Sequence, residues 1–227
     1  MADVPTDGTG HRARLRQRLL EGGHEALHEH ELVEYLLALA IPRRDTKPLA
    51  KKLLNEFGGY GALLSAPPEA LKRVSGLGDA AIGALMIARA SALRLLAAKV
   101  REQPVLANWQ ALLDYLQADM AHQPIERVRC LYLDAKNMLI RDELVSEGSI
   151  DQAAIYVREI IRRAIDLHAS ALLLVHNHPS GDPSPSRQDI ALTRELADAG
   201  KPLDIALHDH IIIAADRHNS LRSMGLM

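Results

Sequence analysis

A group of residues in the last third of the chain has the types and spacing of a site that could bind a metal ion. His176 and His178 follow directly after the apolar run 171–175, and Asp189 comes eleven residues after His178. Side chains alternate along a strand, so the two histidines leave the strand end on the same side. A turn rich in glycine and proline then allows Asp189 to fold back to them. A catalytic zinc ion takes about three protein ligands and keeps one position for water, whose pKa falls to about 7.

The same residues also have ordinary structural interpretations. Two surface histidines at this spacing occur often by chance, and Asp189 stands three residues after a serine, as in the capping box that starts many helices. Asp182 and Asp209 are rival carboxylates, and Asp209 lies between His208 and His210 in a second histidine cluster. Spacing alone therefore leaves a metal site and a simple helix start both open.

The elements around this site alternate between strands and helices. Apolar runs with strand-like spacing are separated by turn residues and by segments with helical spacing. The predicted strands are 128–133, 138–140, 143–150, 171–175, 203–207 and 210–214, and the predicted helices are 109–120, 156–168 and 186–199. This alternation predicts an α/β domain for residues 104–227.

Residues 1–103 are predicted to form a separate all-α domain that ends in a linker. A helix that ends near Val74, the segment Ser75-Gly76-Leu77-Gly78 and a helix from Ala80 have the pattern of a helix-hairpin-helix unit. Gly76 and Gly78 would let backbone N–H groups approach a phosphate of a nucleic acid at a helix N-terminus. A tight turn between helices that binds nothing also needs glycine, so both interpretations stay open.

The net charge does not decide whether this glycine-containing turn binds a nucleic acid or binds nothing. Residues 1–103 contain 15 Lys+Arg and 12 Asp+Glu, a net charge of +3, whereas the remainder contains 12 and 17, a net charge of −5. The positive half permits nucleic-acid contact without arguing strongly for it.

Composition narrows the class of protein. Apolar residues make up 48% and charged residues 25% of the chain, as in ordinary globular proteins. The sequence has no run of 18 apolar residues, and its first 18 residues lack the apolar segment of a signal peptide. The single cysteine, Cys130, excludes an internal disulfide and fits a reducing compartment. We therefore expect a cytoplasmic protein without membrane contact.

The spacing of the candidate site matches a known signature. His176-Asn177-His178, seven residues, Ser186, two residues and Asp189 fit His-x-His-x7-Ser-x2-Asp, the JAMM signature of MPN-type metalloproteases. Further segments resemble the bacterial RadC family over nearly the whole chain. They are HNHPSGDP at 176–183, SRQD at 186–189, DHII at 209–212, SLR at 220–222, IPRRDTKPLA at 41–50 and FG at 57–58.

The resemblance implies an α/β fold of MPN/JAMM type, a curved sheet flanked by helices, preceded by the helix-hairpin-helix domain. It implies one Zn²⁺ per chain, held by His176, His178 and Asp189. Ser186, besides capping a helix, would help to stabilise the oxyanion of a tetrahedral intermediate.

The JAMM pattern also needs an upstream glutamate that acts as general acid and base. In the pattern it lies at the start of the strand that follows the first helix of the domain, and by that position it is Glu126. Glu143, Glu147 and Glu159 are alternatives, and the arginines around Glu159 favour an exposed ion pair at that position.

The expected function is that of a zinc metalloprotease-like hydrolase that cuts an amide or isopeptide bond in a protein or peptide. One alternative is a DNA-associated repair or recombination accessory protein whose helix-hairpin-helix half binds DNA. Another is a nuclease that uses the same zinc site on a phosphodiester.

Overall fold

A computed structural model describes residues 8–148 and 156–227. The chain divides into two compact units, one that ends at Ala92 and one that begins at Leu93. The division falls within the long helix Asp79–Glu102, and the domain boundary predicted from sequence, between residues 103 and 104, lies just after the end of that helix.

The N-terminal unit is helical throughout its described residues, apart from the connecting turns. Its helices enclose an aliphatic core in which Val33, Leu37, Leu53 and Leu63 have no exposed surface. Helices this short are stable because they bury such residues together. They are α1 (Gly8–Gly22), α2 (Glu29–Ala40), α3 (Lys47–Phe57), α4 (Tyr60–Ser65), α5 (Pro68–Lys72) and the first part of α6 (Asp79–Glu102), with a 3₁₀ turn at Gly23–Ala26.

The backbone conformation of the turn between α5 and α6 explains why a glycine stands at position 76. Gly76 has a φ of +91°, in the left-handed region that favours glycine. A Cβ at this position would lie 2.8 Å from a guanidinium nitrogen of Arg44. Leu71 and Ile82, on the two sides of the turn, are buried. The assignment of this turn as a helix-hairpin-helix unit that binds DNA through Gly76 and Gly78 stays a prediction.

The C-terminal unit is built around one mixed sheet. Its strands are β1 (Arg127–Leu133), β2 (Leu139–Glu147), β3 (Ala171–Asn177), β4 (Ala206–Ile213) and β5 (His218–Ser220), and its helices are α7 (Trp109–Met120), α8 (Val157–Asp166) and α9 (Arg187–Gly200), with a 3₁₀ turn at Lys201–Leu203. The strand order is β2-β1-β3-β4-β5. Only β3 and β4 are parallel among these neighbours, and α9 makes the crossover that a parallel pair requires.

Helices cover both faces of this sheet. On one face α7 packs through Leu112 and Leu116 against alternate strand residues. On the other face α8 and α9 pack through Ile160 and Leu196 against the residues in between. This arrangement confirms the expected α/β domain, a sheet flanked by helices, after a helical N-terminal region.

The predicted strands 138–140 and 143–150 are wrong as separate elements, because β2 is continuous across Arg141 and Asp142. β2 is an edge strand, where one face and one edge can accommodate charge, and Asp142 forms an ion pair with Arg129 of β1. Residues 149 and 150 lie outside the described residues.

The predicted strands 203–207 and 210–214 are wrong in the same way. They correspond to the single strand β4, which continues through the predicted gap at His208 and Asp209, and Asp209 and His210 are both buried within it. Buried polar residues inside a strand are tolerated when they are hydrogen-bonded, and both are.

Helix α6 is long and apolar enough to cross a membrane, judged by length and composition alone. Core helices of soluble proteins meet the same two criteria. This observation is weak, and the expectation of no membrane contact stays a prediction.

Candidate metal centre

The carboxyl end of β3 brings the two histidines of the signature together. His176 is completely buried in the strand, and His178 follows just after the strand ends. Their Nε2 atoms are 2.8 Å apart. In open α/β sheets the carboxyl ends of parallel strands are where ligand-binding groups collect, and β3 and β4 form the parallel pair here.

The turn after β3 fixes the ring of His178. Its Nδ1 lies 2.7 Å from the backbone oxygen of Asp182. A carbonyl oxygen only accepts hydrogen bonds, so Nδ1 carries the hydrogen and Nε2 of the neutral ring carries a lone pair. The Asp182 side chain folds this turn by accepting hydrogen bonds from the N–H and O–H of Ser184, which lower the pKa of Asp182. The glycine- and proline-rich turn thus leaves the lone pair of His178 Nε2 directed towards His176, where it could bind a metal.

Asp189 reaches the histidines from the first turn of α9. Ser186 is the N-cap: its Oγ accepts from the Asp189 N–H, and Asp189 Oδ2 accepts from the Ser186 N–H at 2.7 Å. The capping box expected from sequence is therefore present. It holds the carboxylate with its other oxygen, Oδ1, turned towards β3, so the helix-start and metal-site interpretations of Asp189 are compatible.

The resulting cluster fits a divalent cation. Asp189 Oδ1 lies 3.3 Å from His176 Nε2, and Oδ2 lies 3.7 Å from His178 Nε2. Oδ1 is buried and has no hydrogen-bond partner among the described residues. An isolated buried carboxylate oxygen costs several kcal/mol unless a cation or a donor compensates it. Two imidazoles and one carboxylate are a donor set that zinc and related metals accept.

Glu126 lies beside the same histidines. It immediately precedes β1, and its carboxylate groups with the ring nitrogens of His176 and His178 so that the three ligand atoms lie within 4.8 Å of one another. Its backbone oxygen accepts a hydrogen bond from Gly148 at the end of β2. The sequence therefore predicted a glutamate that is indeed next to the histidines, fifty residues away along the chain.

Asn177 is what holds the Glu126 segment in place. Its side chain is buried on the sheet face opposite the two histidines, and its Oδ1 accepts a hydrogen bond from the Arg127 N–H at 2.8 Å. Its Nδ2 donates to the backbone oxygens of Ile125, at 3.2 Å, and Gln123, at 3.4 Å. From the sequence Asn177 has no predicted catalytic role, because in a regular strand its side chain points away from the two histidines. A polar residue between two histidines of a buried strand was the available signal, because a buried amide must find partners.

The rival glutamates are engaged elsewhere. Glu143 pairs with Arg163, which lowers the pKa of Glu143. Glu147 pairs with Arg127 on the exposed side of β1. Glu159 pairs with the arginines of its own helix, as the sequence favoured.

Asp209, the other rival carboxylate, is a structural residue in β4. Its Oδ1 accepts from the backbone N–H groups of His210 and Arg222, and its Oδ2 accepts from the Ser220 hydroxyl. These bonds tie the C-terminal segment to β4. Asp209 is therefore occupied with the fold, not with the histidine pair.

The buried histidines are neutral at ordinary pH. Burial lowers the pKa of His176 to about 4, and burial also places the pKa of His210 well below its usual value. Metal ligation requires neutral imidazole, so metal-free His176 is already in the ligating protonation state. His210 contacts His176 from behind, together with Thr193, a residue that the sequence did not single out.

Comparison with known proteins identifies both halves of the chain. Residues 106–226 match the RadC-like JAB domain, and residues 9–82 match the UPF0758 N-terminal family. A UPF0758 protein of Rhodobacter capsulatus is 50% identical over 213 residues, which cover 94% of this chain and 100% of the relative. A UPF0758 protein of Ruegeria pomeroyi is 48% identical over 224 residues, which cover 99% of this chain and 100% of the relative.

These matches confirm the resemblance drawn from the motif segments. JAB domains form a family of JAMM-type, metal-dependent hydrolases, and the names of the two relatives give no activity. The chain therefore belongs to the RadC (UPF0758) family, with a UPF0758 N-terminal region followed by a RadC-like JAB domain.

Proposed function

We propose that this protein is a zinc-dependent hydrolase that cuts an amide or isopeptide bond in a protein or peptide substrate. The observation that carries the proposal is the convergence of the Asp189 carboxylate on two histidine nitrogens: Oδ1 approaches His176 Nε2, and Oδ2 approaches His178 Nε2. Oδ1 is buried and has no hydrogen-bond partner among the described residues. The match to a metal-dependent hydrolase family supports it.

His176, His178 and Asp189 would hold the ion. Zinc bound there would supply Lewis acidity, which polarises a substrate carbonyl and makes water a nucleophile near neutral pH. The three ligands leave a coordination position open, as catalytic zinc sites do, whereas structural sites use a fourth protein ligand.

Glu126 is the proton carrier in this proposal. Its carboxylate takes a proton from the attacking water at one oxygen and passes it to the nitrogen of the leaving amine. Its closeness to both histidines supports this role, and the clamp of Asn177 on the neighbouring backbone keeps the carboxylate in position. General acid–base catalysis of this kind contributes a factor of roughly 10²–10⁴.

Ser186 stabilises the oxyanion that forms when the carbonyl is attacked. Its oxygen accepts the Asp189 N–H, so the hydroxyl hydrogen is not used by the helix cap. Because Ser186 is exposed next to a metal-binding residue, that hydrogen can be donated to a substrate oxygen.

Cleavage of a mixed-sequence peptide library and of lysine isopeptides by the zinc-loaded full-length chain tests the proposal, with new termini read by mass spectrometry. We expect Glu126→Gln to keep its zinc and to lose turnover by a factor of about 10² or more. Glu147→Gln is the matched control, because Glu147 pairs with Arg127 instead, and it should retain turnover.

Two results would contradict the proposal. Wild-type rates in Glu126→Gln would remove Glu126 from proton transfer. Cutting of plasmid DNA, with no cleavage of any peptide or isopeptide, would replace the amide bond by a phosphodiester as the substrate.

A further inference from the structure

A buried chain of hydrogen bonds lies behind the metal centre. His176 Nδ1 is 2.8 Å from His210 Nε2, and His210 Nδ1 is 2.6 Å from the Thr193 hydroxyl oxygen. The same hydroxyl lies 2.5 Å from the backbone oxygen of Asp189. All four residues have no exposed surface, so their polar atoms must satisfy one another. The chain starts at one predicted metal ligand and ends at the backbone of another.

The chemistry of these atoms gives the chain one direction. Two oxygens 2.5 Å apart need a hydrogen between them, and the carbonyl of Asp189 has none, so the Thr193 hydroxyl donates to it. The Thr193 hydroxyl has one hydrogen, which it donates to Asp189, so its oxygen accepts the hydrogen bond from His210 Nδ1. A neutral His210 with hydrogen on Nδ1 has its lone pair on Nε2, so His176 Nδ1 must donate to it. The lone pair of His176 is then on Nε2, which faces the lone pair of His178 Nε2 at 2.8 Å and Asp189 Oδ1 at 3.3 Å. Acceptors this close need a cation or a shared proton between them.

We propose that Thr193 and His210 form a relay that sets the tautomer of His176, so that its Nε2 is presented to the metal before the metal binds. The relay makes His210 and Thr193 positioning residues and rests on the proposed metal site. Outer partners of ligating histidines commonly fix ring orientation and tautomer in this way.

The two histidines have the same tautomer, but different contacts set it in each. His178 is set by the backbone oxygen of Asp182, within its own turn. His176 is set through Thr193 in α9 and His210 in β4, elements that the sequence separates from it. Since α9 also carries Asp189, the relay connects the positions of two of the proposed ligands.

Thr193→Val is the sharpest variant, because valine keeps the shape of threonine and removes the hydroxyl. Thr193→Ser keeps the hydroxyl and removes a methyl group. His208→Ala is the matched histidine control, since His208 contacts Asn137 and not the relay. Circular dichroism and thermal unfolding establish that each variant is folded.

The first readout is the tautomer in the metal-free full-length chain, from nitrogen chemical shifts of ¹⁵N-labelled histidine. We expect His176 to carry its hydrogen on Nδ1 in the wild type, in Thr193→Ser and in His208→Ala. In Thr193→Val we expect a second population with the hydrogen on Nε2. A wild-type His176 with hydrogen on Nε2 and none on Nδ1 would overturn the relay.

The second readout is zinc affinity, measured by competition with a chromophoric chelator. We expect Thr193→Val to bind zinc about 10- to 100-fold more weakly, as is typical when an outer partner of a ligand is lost. Thr193→Ser and His208→Ala should stay close to the wild type. Equal weakening in Thr193→Val and Thr193→Ser would assign the effect to packing, and unchanged affinity in Thr193→Val would also overturn the relay.

These readouts separate the relay from the proposed function. A wild-type chain that binds no zinc would end the proposed function, whereas the tautomer of metal-free His176 would still decide the relay. A chain that binds zinc but shows the wrong tautomer would end only the relay.

Discussion

Replacing Asn177 by alanine removes the clamp that joins the end of β3 to the segment carrying Glu126. The Arg127 N–H loses its acceptor, and a buried donor left without a partner costs about 1–3 kcal/mol. The bond from Nδ2 to Ile125 contributes about 1 kcal/mol more, whereas the 3.4 Å contact with Gln123 adds little. We therefore expect the free energy of unfolding to fall by about 2–4 kcal/mol.

Urea unfolding of the metal-free protein measures this loss without a contribution from zinc binding. The control is Asn108→Ala, because Asn108 is more exposed and makes a single side-chain bond, to the Lys99 oxygen, so its loss should stay below about 1 kcal/mol. Turnover by Asn177→Ala should fall even where the protein is folded and loaded with zinc. Equal losses of stability in the two variants would refute the clamp.

Three further predictions concern buried groups. In the metal-free protein the pKa of His176 is about 4, against about 6.5 in the unfolded chain, so the unfolded state takes up a proton first as the pH falls. The contribution of neutral His176 to the unfolding free energy, about 3 kcal/mol, is therefore complete above pH 6.5 and disappears towards pH 4. Urea midpoints that stay constant over this pH range would contradict the prediction. Burial strongly raises the pKa of Cys130, so a thiol reagent should label it only on unfolding; rapid labelling of the native chain would disprove the burial. Asp209→Ala should lower the unfolding free energy by about 2–4 kcal/mol because three hydrogen bonds to a buried carboxylate are lost. The control Asp216→Ala, at an exposed residue, should change the unfolding free energy little. Equal losses in the two variants would count against Asp209 as a structural anchor.

Much of the fold and the outline of the site followed from local sequence patterns. The alternation of strand side chains predicted that His176 and His178 share a side, and a serine three residues before an acid predicted the start of α9. Both arise from short-range backbone geometry, which is why sequence spacing captured them.

The errors have one physical origin. Arg141 and Asp142 in β2, and His208 and Asp209 in β4, are polar residues inside strands, and their polarity suggested breaks. Each is accommodated by partners or by an edge position that only the tertiary structure supplies. Local polarity is therefore a poor guide where a strand carries residues for the site or for anchoring the chain end.

The supporting parts of the site could not be predicted for the same reason. Asn177 contacts residues at least fifty positions earlier, and Thr193 contacts His210 from a different element. Neither contact leaves a spacing pattern in the sequence. Gly76 is an example of the opposite kind, in which a sequence pattern has more than one explanation. The pattern is typical of phosphate binding, but the positive φ of Gly76 and the close approach of Arg44 already explain why a glycine is needed there.

The most direct test of the central claim is the zinc content of the purified full-length chain, measured by inductively coupled plasma mass spectrometry after dialysis. The wild type should hold about one zinc ion per chain, and Asp189→Ala should hold almost none. Asp198→Ala is the matched carboxylate control: Asp198 is exposed in the same helix, α9, so this variant should stay near the wild type. Full zinc content in Asp189→Ala would contradict the account.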